Sequence, residues 1–153
     1  MIVGVDPGTA CGWALLTDDG AHVASGVWDL ASRRHEGGGM RFLRARRMLI
    51  ELLDGREIRA LGYEEVRRHV GTSAAHVYGG IIAVITSVCE ERGVPYQGQP
   101  VGTVKKLATG KGNADKNAMM RAAHARWSGY TSSNDNEADA LWIAEAMRRE
   151  VVT

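Results

Sequence analysis

Met1-Ile2-Val3-Gly4-Val5-Asp6-Pro7-Gly8-Thr9 opens the chain, and Ala10-Cys11-Gly12-Trp13-Ala14-Leu15-Leu16 follows at once. An apolar run that stops at Asp6 and breaks on Pro7-Gly8 reads as a strand delivering one carboxylate to a glycine-rich turn. Trp13 to Leu16 then continues as a second strand beside it. Turns that grip phosphates and strand ends that carry metal ligands both begin this way, and Asp is also common in plain turns. The role of Asp6 therefore depends on which other side chains the fold brings to it.

Downstream, Asp18-Asp19-Gly20 is a turn signal and Ala21 to Trp28 returns as a third strand, so the fold opens with a meander. Arg33-Arg34-His35-Glu36-Gly37-Gly38-Gly39 reads as a flexible loop. From Met40 to Leu53 apolar residues recur near helical spacing, with Arg41, Arg44, Arg46 and Arg47 among them, and Asp54-Gly55 closes this amphipathic helix. Ile58 to Val66 is a strand whose alternation sends Glu64 and Glu65 to opposite faces, so only one can share the face of Asp6. Thr72 to Glu91 is a broadly apolar helix ending near Gly93, suited to a buried position or a subunit contact. Val94 to Gly98 is a short extended piece, and Pro100 to Thr103 starts a helix running through Leu107. The loop Gly110-Lys111-Gly112-Asn113 precedes a helix from Ala114 to Trp127, a polar connector from Ser128 to Asn134, and a last helix from Asn136 to Arg149. A meander followed by strands alternating with helices defines an α/β domain with a mixed central sheet flanked by helices.

Composition narrows the classes. A length of 153 residues fits one domain and is too short for two full lobes, which weighs against functions that need a cleft between lobes. Hydrophobic residues at 44% and charged residues at 24% are ordinary for a packed soluble chain. Cys11 and Cys89 form no CxxC pair, so no cysteine-based metal site or disulfide framework is expected, and a reducing, cytoplasmic setting is. No secretory leader is read, and the mostly apolar stretch from Ile81 to Cys89 is too short for a bilayer of about 30 Å, so no membrane partner is expected. A net charge of +1 excludes a general polycation. The distribution is uneven, however. Lys105, Lys106, Lys111, Lys116, Arg121 and Arg126 share their segment with one acid, Asp115, and Asp135, Glu137 and Asp139 follow as an acidic cluster. Separate patches of this kind can hold a polyanion and a divalent cation, although charge runs are commonly just solvated.

The last helix carries the sharpest geometry. Positions 135, 139, 143 and 147 stack on one side, so Asp135 and Asp139 lie above Ile143 and Met147 and face the sheet with them. Glu137 points nearly opposite. Asn134 with Glu137 is also a capping pair, and Asp135 is favourable at a helix N-terminus for that reason alone. Carboxylates gathered from strands and a helix repel one another unless a cation neutralises them, and hard oxygen ligands favour Mg²⁺ or Mn²⁺. Such a set suits two-metal phosphodiester hydrolysis. His69, His76 and His124 stand isolated, and Trp127 and Trp142 sit in apolar company as core residues.

Four motifs occur in order: Gly4-Val5-Asp6-Pro7-Gly8-Thr9; Tyr63-Glu64-Glu65-Val66; Val104-Lys105 with Gly110-Lys111-Gly112-Asn113-Ala114-Asp115-Lys116; and Asn136-Glu137-Ala138-Asp139-Ala140-Leu141. In order and approximate spacing they resemble the RuvC family of Holliday junction resolvases, and the short length resembles its phage-type members. The resemblance implies that residues 1–153 form a single ribonuclease H-like nuclease domain. It also implies a homodimer and Mg²⁺-dependent cutting of branched DNA such as four-way junctions, in the cytoplasm of a bacterial or phage-infected cell. It places Asp6, Glu64 and Asp139 at metal-ligand positions and Lys105 and Lys116 at the basic positions beside the scissile phosphate. The remaining family carboxylate falls on Asn136, and Asp135, one residue earlier on a compatible side, takes its role as a fourth metal ligand. Lys106, Lys111 and Arg67 complete the expected DNA-contacting set, Arg67 lying near the position of an aromatic residue that bacterial members use at the junction centre. Two other readings compete: a fragment of an actin-like or sugar-kinase-like ATPase, and a non-catalytic DNA-binding module of the same fold.

Overall fold

Alternation along the first strand sorts the molecule into two layers. A computed structural model describes residues 1–69 and 71–152. In chain order its elements are β1 (Ile2–Asp6), β2 (Ala10–Leu16), β3 (His22–Asp29), α1 (Met40–Leu53), β4 (Ala60–Glu65), α2 (Thr72–Arg92), β5 (Tyr96–Pro100), α3 (Val101–Thr109), α4 (Lys116–Arg126) and α5 (Asp135–Val151). The five strands form one sheet in the order β3-β2-β1-β4-β5. β1 to β3 are an antiparallel meander, and β4 and β5 run parallel to β1. The mixed sheet and every expected helix are present. The strand predicted from Trp13 begins earlier, at Ala10, because the backbone of Ala10 to Gly12 already pairs with β3.

Val3, Val5, Leu15 and Leu61 pack with Leu49 and Leu53 of α1 and Ile81, Ile85 and Val88 of α2. Ile2, Ala14, Leu16 and Ala60 pack with Ala140, Leu141, Ile143, Ala144 and Met147 of α5. Period two therefore aims Gly4 and Asp6 at the α5 face, along with Gly62 and Glu64 of β4, and sends Glu65 to the other face. Trp127 and Trp142 are core residues as expected, their rings 4.8 Å apart.

α5 lies unusually close to the sheet. A Cβ built on Gly4 would stand 2.1 Å from the Ala140 carbonyl oxygen, and one on Gly12 would stand 2.0 Å from that of Asn136. The missing side chains let the helix backbone touch the strands, and that contact sets how far the first turn of α5 stands from the end of β1.

Two expectations change. The loop 33–39, read as flexible, is tied through its first half, since Arg44 of α1 donates to Glu36 and to the Ala31 carbonyl. The apolar stretch thought too short to cross a membrane belongs to α2, which has 21 residues and an 18-residue window of mean hydropathy 1.4, the length and composition of a spanning helix. Its Ile81, Ile85, Val88 and Cys89 nonetheless join the core beneath α1. Most of the rest of α2 remains uncovered.

Because a methyl group on Gly4 collides with backbone rather than with a flexible side chain, Gly4→Ala should cost about 3 kcal/mol or more, at the upper end of overpacking. Urea unfolding measures this, and a change below about 1 kcal/mol would mean that α5 can shift without penalty.

Candidate active site

The C-terminal ends of β1 and β4 and the first turns of α5 meet at one end of the sheet. β1 supplies Asp6 and the parallel neighbour β4 supplies Glu64, both half-buried. Asn134 caps α5 with its side-chain oxygen, accepting from the amides of Asn136 and Glu137, so the helix begins at Asp135. Starting there, α5 presents Asp135 and Asp139 toward the strands. Glu137, expected to point nearly opposite, instead reaches the sheet at β3, where it accepts from Ser25 Oγ at 2.7 Å, away from the ends of β1 and β4.

The electrostatics show how closely these groups crowd one another. Burial, and then the charges of Glu64, Asp139 and Asp135, push Asp6 well above the ordinary carboxylate range, with Lys116 as the opposing charge. Burial and Asp139 raise Glu64 against Lys105. Burial and then Asp135 raise Asp139 to about 6, against Lys105 and Lys116. Asp135 behaves differently, because the Lys116 ammonium pairs directly with its carboxylate and holds it below the usual range.

Glu64, Val66, Val101, Lys105, Lys116, Met119 and Asp139 line a cleft of about 270 Å³. Lys105 reaches it from α3 and Lys116 from the start of α4, which Asp115 caps by accepting from the Ala118 amide at 2.8 Å. Of the remaining basic residues predicted for the site, Lys106 and Lys111 are exposed and do not line the cleft. Arg67 is exposed beyond β4, 3.5 Å from Glu65.

Sequence reasoning missed Tyr78. Its hydroxyl donates to the Glu64 carbonyl at 2.8 Å and accepts from the Val66 amide at 3.1 Å, tying α2 to the strand end that carries Glu64. A tyrosine within an apolar helix gives no sequence signal for such a bond. With His69, whose ring centroid lies 4.7 Å from that of Tyr78, it also borders a hollow of about 410 Å³ reaching Pro7, Gly8 and Thr9.

Glu64 and Asp139 line the cleft, but the four carboxylates are not drawn around a point. Among the described residues no three Asp, Glu, His or Cys side chains converge tightly enough to clasp one ion. The donor set still fits a divalent cation. Asp6, Glu64 and Asp139 are all pushed toward protonation, and carboxylate oxygens are the ligands that hard ions take.

A parallel strand pair bearing Asp6 and Glu64, an antiparallel meander beside it and an acidic helix laid across the sheet define the ribonuclease H-like class. No protein-family model matches the chain. The crossover junction endodeoxyribonuclease RuvC of Anaeromyxobacter sp. (strain Fw109-5) is 32% identical over 148 residues, spanning 94% of this chain and 70% of that protein. The Thermus thermophilus RuvC structure superposes with a TM-score of 0.83 at 22% identity, covering 99% of this chain and 98% of that one. T. thermophilus RuvC in complex with a Holliday junction substrate gives 0.81 at 21% identity with the same coverage. Fowlpox virus resolvase with its junction DNA gives 0.57 at 12% identity over 98% of this chain and 99% of that one. The chain belongs to the RuvC family.

The raised Asp139 makes a signed prediction for the metal-free protein. Its folded pKa of about 6 exceeds the unfolded value near 3.9, so the fold favours the protonated form. A penalty therefore develops as pH rises from about 4 to 6 and is complete above 6. Asp139→Asn removes it and should stabilise the chelator-treated protein at pH 7.5 by about 1 to 2 kcal/mol, discounted for partial exposure, with no gain below about pH 4. Equal stability of the two proteins at pH 7.5 in urea titrations would show that Asp139 carries no such strain.

Proposed function

We propose that the chain is a metal-dependent, structure-selective endonuclease that resolves four-way junctions or other branched DNA by phosphodiester hydrolysis. The observation that carries this reading is a single cleft in which Glu64 and Asp139 face Lys105 and Lys116, beside a half-buried Asp6 whose charge is suppressed. Asp6, Glu64, Asp139 and Asp135 would hold Mg²⁺ or Mn²⁺. When bound, the ions supply an activated water and neutralise charge at the leaving oxygen.

The chain's own residues do the rest. Lys105 and Lys116 bind the scissile phosphate against the carboxylate wall and stabilise its growing charge. Lys116 also keeps Asp135 ionised through their ion pair, so that this ligand needs no further deprotonation. Lys106, Lys111 and Arg67, exposed around the cleft, take flanking phosphates. The C-terminal side of Glu64 is steadied by Tyr78. An ATPase reading has no support in a cleft lined by Glu64 and Asp139 with Asp6 crowded beside them, and a silent binding module would have no use for so costly a cluster.

Two symmetric cuts need two sites, and α2 offers the surface that would pair them. Ala75, Gly79, Ala83 and Ser87 recur every fourth residue on its outer side, where small residues permit close approach of a second helix. This reading is consistent with work in the cytoplasm of a bacterial or phage-infected cell, where DNA branches form.

Cleavage of labelled four-way, flap and linear DNA in Mg²⁺ tests the activity. The four-way substrate should be cut fastest, and Asp6→Asn or Asp139→Asn should slow cutting about a thousandfold or more while junction binding persists. If either variant cuts at the normal rate, the assignment of the carboxylates is wrong. A Cβ on Gly79 meets no atom within 4 Å, so Gly79→Arg fits the isolated chain and should act only on assembly. Light scattering should then report a monomer with a Tm near that of the parent, and an intact dimer would exclude α2 as the contact.

A further inference from the structure

The segment joining β3 to α1, residues 29–39, lies at the same end of the sheet as the cleft and is tied down there. Asp29 pairs with Ala10 of β2. The Leu30 amide donates to the Thr9 carbonyl at 2.7 Å, three residues beyond Asp6. β3 is two strands from β1, about 10 Å across the sheet. The Asp29 carboxylate accepts from the Ala31 amide at 3.1 Å, and Leu30 is fully buried.

From the opposite side, Arg44 of α1 closes a latch. Its Nη1 and Nη2 donate to the Glu36 carboxylate at 2.8 and 2.9 Å, and Nη2 also donates to the Ala31 carbonyl at 2.8 Å. Glu36 Oε1 accepts from the Arg33 amide at 2.9 Å as well. The two side chains are only 8% and 16% exposed, so the pair is shielded from water and salt. The latch spends the charge of Glu36 on Arg44 and leaves its neighbours uncompensated. Residues 29–44 hold four arginines and two carboxylates. Arg33 and Arg34 are exposed, and among the described residues neither makes an ion pair. Arg41 reaches back to Ser32 Oγ, bracing the same strap.

A solvent-exposed arginine pair on a backbone fastened at both ends costs little further ordering when it meets an anion. The strap leaves the same end of the sheet as the cleft, two strands from β1, which suits a polyanion that continues past the cut, and a nucleic-acid duplex is such a ligand. We propose that residues 29–41 form a pre-organised clamp for the phosphate backbone of the duplex arm leading away from the carboxylate cleft. Arg33 and Arg34 make the contacts and the Glu36–Arg44 pair is the latch. This rests on the junction-endonuclease reading and extends it to residues outside the cleft.

Binding of a fluorescent four-way junction to the full chain, in EDTA and over a salt series, tests it without cleavage. Arg33→Ala/Arg34→Ala should weaken binding about tenfold at 0.1 M salt and lower the slope of log affinity against log salt by about 1 to 2. Glu36→Ala/Arg44→Met keeps the net charge and strands no buried ion. It should still weaken binding about threefold to tenfold, because both arginines remain on a strap no longer held. Unchanged affinity and slope in the first variant overturn the clamp. Parental affinity in the second, with Tm and circular dichroism showing it folded, overturns the latch. Should the parent chain itself fail to prefer the four-way junction over linear duplex, the junction reading falls and takes the clamp's ligand with it. A retained preference with an indistinguishable Arg33→Ala/Arg34→Ala variant sinks the clamp alone.

Discussion

The contact of α5 with the glycines of β1 and β2 is the constraint on which the rest of the structure depends. Gly4 and Gly12 leave no side chain between strand and helix, so the carbonyls of Ala140 and Asn136 lie where Cβ atoms would otherwise stand. Gly62 of β4 meets the same helix at Ile143 and Met147. With the backbones this close, the first turns of α5 project over the ends of β1 and β4, and Asp135 and Asp139 come within electrostatic reach of Asp6. Any bulk in that layer would lift the helix and open the cleft.

The carboxylates illustrate two solutions to burying charge. Glu145, lower on α5, is fully buried, yet it stays below the ordinary range because Arg148 donates to it at 2.7 and 3.0 Å and Arg149 at 2.9 Å, outweighing desolvation. Asp6, Glu64 and Asp139 are left with distant lysines and like-charged neighbours, so burial wins. A satisfied buried ion holds structure together, whereas an unsatisfied set stores free energy that a cation can release. The same helix uses one device to anchor its C-terminal half and the other to build a site at its start.

The second layer, α1 and α2, serves the site from behind. It buries the other face of the sheet, ties the Glu64 strand through Tyr78 and fastens the strap through Arg44. On its outer side α2 leaves Gly79, Ala83 and Ser87 exposed, small residues along which a second copy would lie in the proposed dimer.

Much of this was legible in the amino-acid order. The period of two placed Asp6 and Glu64 on one face and Glu65 on the other, and the period of 3.6 placed Asp139 over Ile143. Turn glycines and the Asn134 cap marked where these elements begin and end. Local periodicity reports which way a side chain points relative to its own element, and that is all it reports. The capture of Asp135 by Lys116, the bond from Tyr78 to the Glu64 carbonyl and the latch of Arg44 on Glu36 join residues from different elements or from a loop to a helix, and no spacing rule encodes them. The sequence alone determined which carboxylates could share a face. Only the tertiary structure decided how strongly they repel, because that depends on the distance between α5 and the sheet, which the absent side chains of Gly4 and Gly12 set.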